Sequence, residues 1–226
     1  MRISQEHRVD RPMKIGTSNE ITPDVAILPD TYSIPDLSEE ALKETDITEQ
    51  TFSLEYQGFA YNVTILFEHR PKEERQFDIA LIDSQTNDEA GAISLRRIAS
   101  EKGWDMPFRF IKSQYRENNR RLGLLLFALA ADVARRYKEA TNIDADKIFL
   151  HTNQSSVART VIDQNWLREH QLSELAHSDN SNLGFIPSSE DDEVNLINML
   201  QFSQRATREE AQKKYPGGSV KLIKTI

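Results

Sequence analysis

Between Arg109 and Arg121 the chain carries Arg109, Lys112, Arg116, Arg120 and Arg121 against Glu117 alone, a local net charge of +4. This cationic patch sits in a protein of 226 residues with a formal net charge of −8. It runs into Asn118-Asn119-Arg120-Arg121-Leu122-Gly123, directly ahead of an apolar stretch with helical spacing. Free N–H groups at a helix start converge on an anion, and the helix dipole reinforces them. A glycine there lets a ligand approach the backbone closely. The pattern therefore points to a phosphate-rich ligand. Each residue also has an ordinary structural use: Asn118 or Asn119 as a helix cap, Gly123 as a close-packing site, the arginines as solvated side chains.

Two further places hold titratable groups in apolar surroundings. His151 lies in Leu150-His151-Thr152, and Glu68-His69 closes another apolar run. An imidazole titrates near neutrality and suits a general base. Other chemistries lack their residues. There is no cysteine, which excludes a disulfide scaffold, a thiolate metal site and a Cys nucleophile. The five histidines lack metal-ligand spacing, so no metal is expected. Neither a G-x-S-x-G elbow nor a G-x-x-x-x-G-K-[ST] loop occurs.

Hydrophobic periodicity supplies the elements that must position these groups. Alternating or β-branched runs predict strands over 51–56, 59–67, 76–83, 90–98 and 107–114, a meander with short turns. Leu122, Leu125, Leu126, Leu129, Val133 and Tyr137 mark one face of a long helix over 118–138. Leu124 and Phe127 widen that stripe, so the helix should be covered on more than one side. A strand over 147–152 follows, then a short helix capped by Ser155 or Ser156 and ending near Gln164. Residues 167–182 read as loop or irregular helix, and 183–186 as a short strand. Ser189 with Asp192 resembles a capping box ahead of a helix through 194–200. A further helix over 206–215 and a strand over 219–226 close the chain.

Residues 1–50 differ from the rest. They hold 5 basic and 11 acidic residues and four of the eight prolines, with few apolar islands. Little apolar surface is available there to offset ordering entropy. The expected organisation is an acidic, Pro-containing, poorly ordered or surface-draped arm over 1–50 and one α/β domain over 51–226. Ser38 could cap one short helix in the arm, and the arm could engage a basic protein partner. No apolar segment is long enough to span a bilayer, and no secretory h-region opens the chain, so a cytoplasmic protein is expected. The overall negative charge argues against a nucleic-acid track.

About 60 residues, 107–166, resemble the core of the GNAT N-acetyltransferase superfamily. In that family a strand runs into a Tyr-Arg pair, then a loop of pattern Q/R-x-x-G-x-G/A opens a long apolar helix. A strand and a short helix follow. Here the pair is Tyr115-Arg116, the loop is 118–123, and the next strand is 147–152. Asn118 stands at the family's Gln or Arg, Arg121 stands at its usual first Gly, and Gly123 keeps the second. Asn165-Trp166 takes the place of a Gly-Phe, and the short helix's frequent general-acid Tyr falls on Val161.

The resemblance implies an α+β fold with a mixed, mostly antiparallel sheet flanked by helices. It implies acetyl-CoA or another acyl-CoA as co-substrate and an amine, on a small molecule or a protein, as acceptor. Phe110, Ile111 and Lys112 would hold the pantetheine arm through the strand backbone. Asn118, Asn119, Arg120, Arg121, Leu122 and Gly123 would hold the pyrophosphate. His151 or Glu68 would take the amine proton. The departures in the loop and at Val161 support a second expectation, a binding or interaction module of this fold without catalysis.

Overall fold

A computed structural model describes residues 13–14, 47–68, 76–117, 121–141, 144–175, 183–205 and 215–226. The expected helices after Ser38 and over 206–215 lie outside the described residues.

Nine strands form one sheet in the order β1-β2-β3-β4-β5-β6-β7-β9-β8. Strands β2 (Ile47–Tyr56), β3 (Phe59–Glu68), β4 (Gln76–Asp83), β5 (Glu89–Ile98) and β6 (Gly103–Ile111) form an antiparallel meander. The β2–β3 turn has two residues, Gln57 and Gly58, both at positive φ. That geometry matches the twist of a tight hairpin. Strand β1 (Met13–Lys14) pairs parallel with Leu54 and Glu55 of β2. Strand β2 begins at Ile47, so two stretches of the first fifty residues belong to the sheet.

Helix α2 (Leu122–Thr141) lies across β4, β5 and β6. Leu125, Leu129, Ala130, Val133, Ala134 and Tyr137 are fully buried, as the 3.6-residue period requires. Leu124 and Phe127 are also buried, and the Phe127 ring meets Phe185 at 6.4 Å between centroids. The helix is thus covered on a second side. Beneath it, alternation in β4 buries Phe77, Ile79 and Leu81. Phe77 stands 4.7 Å from Trp104 and 5.1 Å from Tyr137, a tilted aromatic cluster joining sheet to helix.

Strand β7 (Lys147–Thr152) pairs parallel with β6 and antiparallel with β9 (Val220–Thr225), which also pairs with β8 (Ile186–Pro187). Helices α3 (Ser155–Val161), α4 (Gln164–Glu169) and α5 (Glu190–Arg205) accompany this half. The fold is mixed α/β with a large, mostly antiparallel sheet.

Several expected boundaries change. The strand expected over 107–114 is β6, which starts at Gly103 and stops at Ile111. Ser113 and Gln114 instead open helix α1 (Ser113–Glu117), because Lys112 ends the ladder with its N–H on the Ala90 carbonyl and accepts from Tyr115 N–H. The carbonyl that opens the α2 ladder is that of Arg121, while Asn118 and Asn119 lie outside the described residues. Ser155 and Ser156 fall inside α3, whose cap position is Gln154 without a side-chain bond. A separate helix, α4, begins at Gln164, within and beyond the expected end of α3. The Asp163 carboxylate caps it, accepting from Asn165 N–H at 2.8 Å and Trp166 N–H at 2.9 Å. The Ser189 cap stands: its hydroxyl accepts from Asp192 N–H at 3.2 Å at the start of α5.

Gly103 marks where β6 and β7 press together. A Cβ there would lie 2.6 Å from the Phe149 ring and 2.7 Å from the Lys147 carbonyl oxygen. The second neighbour is backbone and cannot rotate away. Gly103→Ala should therefore cost about 1–3 kcal/mol and lower the melting temperature by several degrees. An unchanged melt would show that this contact is not tight.

Candidate functional site

The parallel ladder between β6 and β7 has three rungs: Gly103↔Lys147, Trp104↔Ile148 and Asp105↔Phe149. Strand β6 continues to Ile111 and β7 to Thr152, yet the two no longer pair. Local chemistry explains the parting. Pro107 has no N–H to donate. Next to it the β5–β6 register shifts between Ser94 and Arg96, so Leu95 faces two residues of β6. Such a bulge bends the strand that carries the extra residue.

The parting opens a cavity of about 790 Å³ between β6, β7, the start of α2 and α3. Met106, Arg109 and Phe110 line it from β6, and Gly123, Leu126 and Phe127 from α2. His151 closes it from β7, and Ser156, Val157 and Thr160 from α3. Its described lining contains Arg109, Arg121 and His151 but no Asp or Glu.

Arg121 stands at the mouth with φ of +47°, the left-handed region. A non-glycine residue is strained there by roughly 1–2 kcal/mol. The conformation turns the chain into α2, and the Arg121 carbonyl accepts from Leu124 N–H at 3.0 Å. Its charge reaches Tyr56 on β2: burial pushes that phenol up to about 12, against the opposing pull of Arg121. Gly123 faces β6 two residues on, and a Cβ there would lie 3.3 Å from Ile111 Cδ1.

Arg109 is a confined cation of the cavity wall. Its guanidinium carbon lies 5.3 Å from the centre of the Phe127 ring, and its Nη1 is buried with no hydrogen-bond partner among the described residues. Burial alone brings its pKa down to about 10. His151 lies opposite Lys221 in the β7–β9 ladder. Lys221 N–H donates to Asp192 Oδ1 at 2.8 Å, which ties the α5 start to this ladder. Burial raises the Asp192 pKa, but hydrogen bonds from Ser188, Lys221 N–H and Ser189, together with His151, outweigh it and leave the carboxyl below its usual range.

The expected site residues divide into three groups. Phe110, Ile111, Arg121, Leu122, Gly123 and His151 converge on the cavity. Asn118, Asn119 and Arg120 lie outside the described residues. Lys112 and Glu68 are elsewhere. Lys112 is exposed, and its N–H is committed to Ala90. Glu68 pairs with Gln76, which follows through Arg96 to Asp105, so it is level with the closed end of the split. It lies three strands from β6, about 14 Å at ordinary strand spacing. Sequence analysis overlooked the α3 wall. Its signal is the i, i+4 pair Ser156 and Thr160, which puts two hydroxyls on one face.

No protein-family model matches the chain, and no curated protein matches it in sequence. Among the described residues, no helix is long and apolar enough to cross a membrane. No group of three or more His, Asp or Glu among them could hold a metal ion.

Asp192 gives a pH test. A carboxyl lowered by folding contributes stability above its ordinary pKa of 3.8 and loses it as the pH falls through the lowered value. Asp192→Asn should melt lower than the parent near pH 6. The gap should narrow as pH falls below 3.8. A gap independent of pH would mean that the ionised carboxylate is not the stabilising form.

Proposed function

We propose that this protein is a CoA-dependent N-acyltransferase of the GNAT type. The observation that carries the reading is the parting of β6 from β7 beside the start of α2, over a cavity lined by cations and no carboxylate. A thioester arm laid along β6 would find a strand edge around Phe108 and Arg109 that the β7 ladder does not occupy. Its pyrophosphate would sit at the α2 start, where Arg121 supplies charge and Gly123 leaves the backbone accessible. The left-handed Arg121 supports this loop assignment, since it adopts the conformation that a glycine takes readily at that point.

The chemistry is direct transfer. The amine nitrogen attacks the thioester carbonyl carbon, the C–N bond forms, and the C–S bond of the collapsing intermediate breaks. His151 accepts the proton that the nitrogen loses, and the departing CoA thiolate takes a proton from solvent or from the protonated imidazole. Glu68 is not part of this scheme, given its position at the closed end of the split. The amine is carried by a small molecule or a protein, and acetyl-CoA or a longer acyl-CoA is the donor.

One observation favours a non-catalytic relative of the same fold. Val161 takes the family's tyrosine position and is fully buried, so α3 brings no phenol to the cavity. Binding of acyl-CoA without turnover across an amine panel would select that reading.

Acetyl-CoA at about 100 times its Kd should stabilise the protein by about 2.7 kcal/mol, seen as a higher melting temperature. Gly123→Trp fills the mouth and should abolish that shift. Failure of the parent to bind acetyl-CoA at about 1 mM, a free energy of roughly −4 kcal/mol, overturns the reading. His151→Ala should bind acetyl-CoA unchanged and lose turnover by about 10²–10⁴-fold.

A further inference from the structure

We propose that Arg109 holds a carboxylate of the reacting ligand inside the cleft, so that the substrate class of this site is carboxylate-bearing. The inference rests on the acyltransferase reading for the identity of the ligand, and on the cavity alone for the anion.

Arg109 Nη1 is a buried donor without a partner among the described residues. An orphaned buried donor of this kind is costly, and more so when charged. No ion pair forms at Arg109 among the described residues, and its guanidinium lies over the Phe127 ring, which receives the cation but accepts no hydrogen bond. The cavity lining that surrounds it supplies no carboxylate. A structural arginine in such a place would ordinarily be paired. An unpaired one in a cavity wall is pre-organised for an anion that arrives with the ligand.

Position and chemistry separate this anion from a phosphate at the loop. Phe127, beneath Arg109, is four residues along α2 from Gly123, about 6 Å deeper by helical rise. Ile93 faces Arg109 across the β5–β6 ladder, and the apolar Met106 and Leu126 line the same cavity. Stripping a doubly charged phosphate of water in that setting costs far more than stripping a singly charged carboxylate. The planar guanidinium fork also matches a carboxylate in two parallel hydrogen bonds. The carboxylate has two chemical sources: the far end of a dicarboxylic acyl chain on the donor, or the α-carboxylate of an amino-acid acceptor.

Calorimetry on the full chain distinguishes them. One arm compares succinyl-CoA with acetyl-CoA. The other compares L-amino acids with the corresponding amino-acid amides, with and without free CoA. In the parent protein, one arm should show the carboxylate form binding at least about tenfold tighter than its neutral counterpart. Arg109→Met should erase that preference while its ligand-free melting temperature stays level or rises, because a desolvated cation has been removed. Arg109→Lys keeps the charge without the fork and should reduce the preference several-fold. Equal binding of both forms in both arms by the parent overturns the proposal, whatever the variants do. A preference that survives undiminished in a folded Arg109 variant overturns it too. Failure of free CoA, acetyl-CoA and succinyl-CoA to bind, with an Arg109-dependent preference for amino acids over amides, would remove the acyltransferase reading and leave the carboxylate site standing.

Discussion

Three parallel rungs between β6 and β7 hold the two halves of this sheet together, and the ladder's early end creates the space on which Arg109, Arg121 and His151 converge. The closed end is tight. Gly103 admits Lys147 and Phe149 so closely that even a methyl group would clash. Directly above it Trp104 locks into the Phe77–Tyr137 cluster, which pins α2 to the same point. Three residues further on, Pro107 and the bulge opposite Leu95 make continued pairing unfavourable. A rigid root and a forced parting thus arise within five residues. The hydrophobic core fixes one end of the cleft, so the other end can stay open without loosening the sheet.

Much of this organisation was legible in the residues. The meander, the long helix and the β7 strand follow from period-2 and period-3.6 patterns that tertiary packing reinforces. The cationic patch before α2 was legible because basic residues and a helix start coincide there in the sequence. The parting was not. It depends on which partner β6 has on its far side, and a sequence pattern reads the faces of a strand but not its edges. The β6 boundary shifted for a related reason: Gly103-Trp104-Asp105 lacks the β-branched signature, yet Trp104 is drawn into the core by two aromatic rings from distant elements. Glu68 shows the same limit. Its type suits a base, but register sets it beside the closed end of the split, three strands away. Asp163 was readable as a cap and was passed over because α4 has only six residues, too few to show a period.

Arg121 changes what the scarcity of glycine means. A loop that turns into a helix through a left-handed residue normally recruits glycine, and this chain has 8 in 226 residues. The turn is nonetheless made, by an arginine at φ +47°. The strain of roughly 1–2 kcal/mol is tolerable because the Arg121 carbonyl enters the α2 ladder and α2 is anchored by six fully buried side chains. What the substitution adds is a fixed positive charge at the mouth, where a glycine offers only backbone. An arginine in place of a glycine is therefore compatible with this turn.

The charge distribution makes the same point at a larger scale. A protein with eight more acidic than basic residues has placed two arginines and a histidine around one cavity and kept every described carboxylate out of its lining. Asp192, the acid whose field reaches His151, is turned away by bonds to Ser188, Ser189 and Lys221 N–H. It presents no negative charge to the cavity lining. Several basic side chains elsewhere are paired with acids: Arg135 with Asp132 and Glu139, Lys102 with Asp144, Lys221 with Glu101. The unpaired Nη1 of Arg109 differs from Arg97 Nε, the other buried arginine nitrogen without a partner among the described residues, in lining the cavity, and desolvation penalises a cation held there without an anion. The cost falls at the place where an anionic ligand would recover it, which is the pattern expected of a binding residue rather than a packing one.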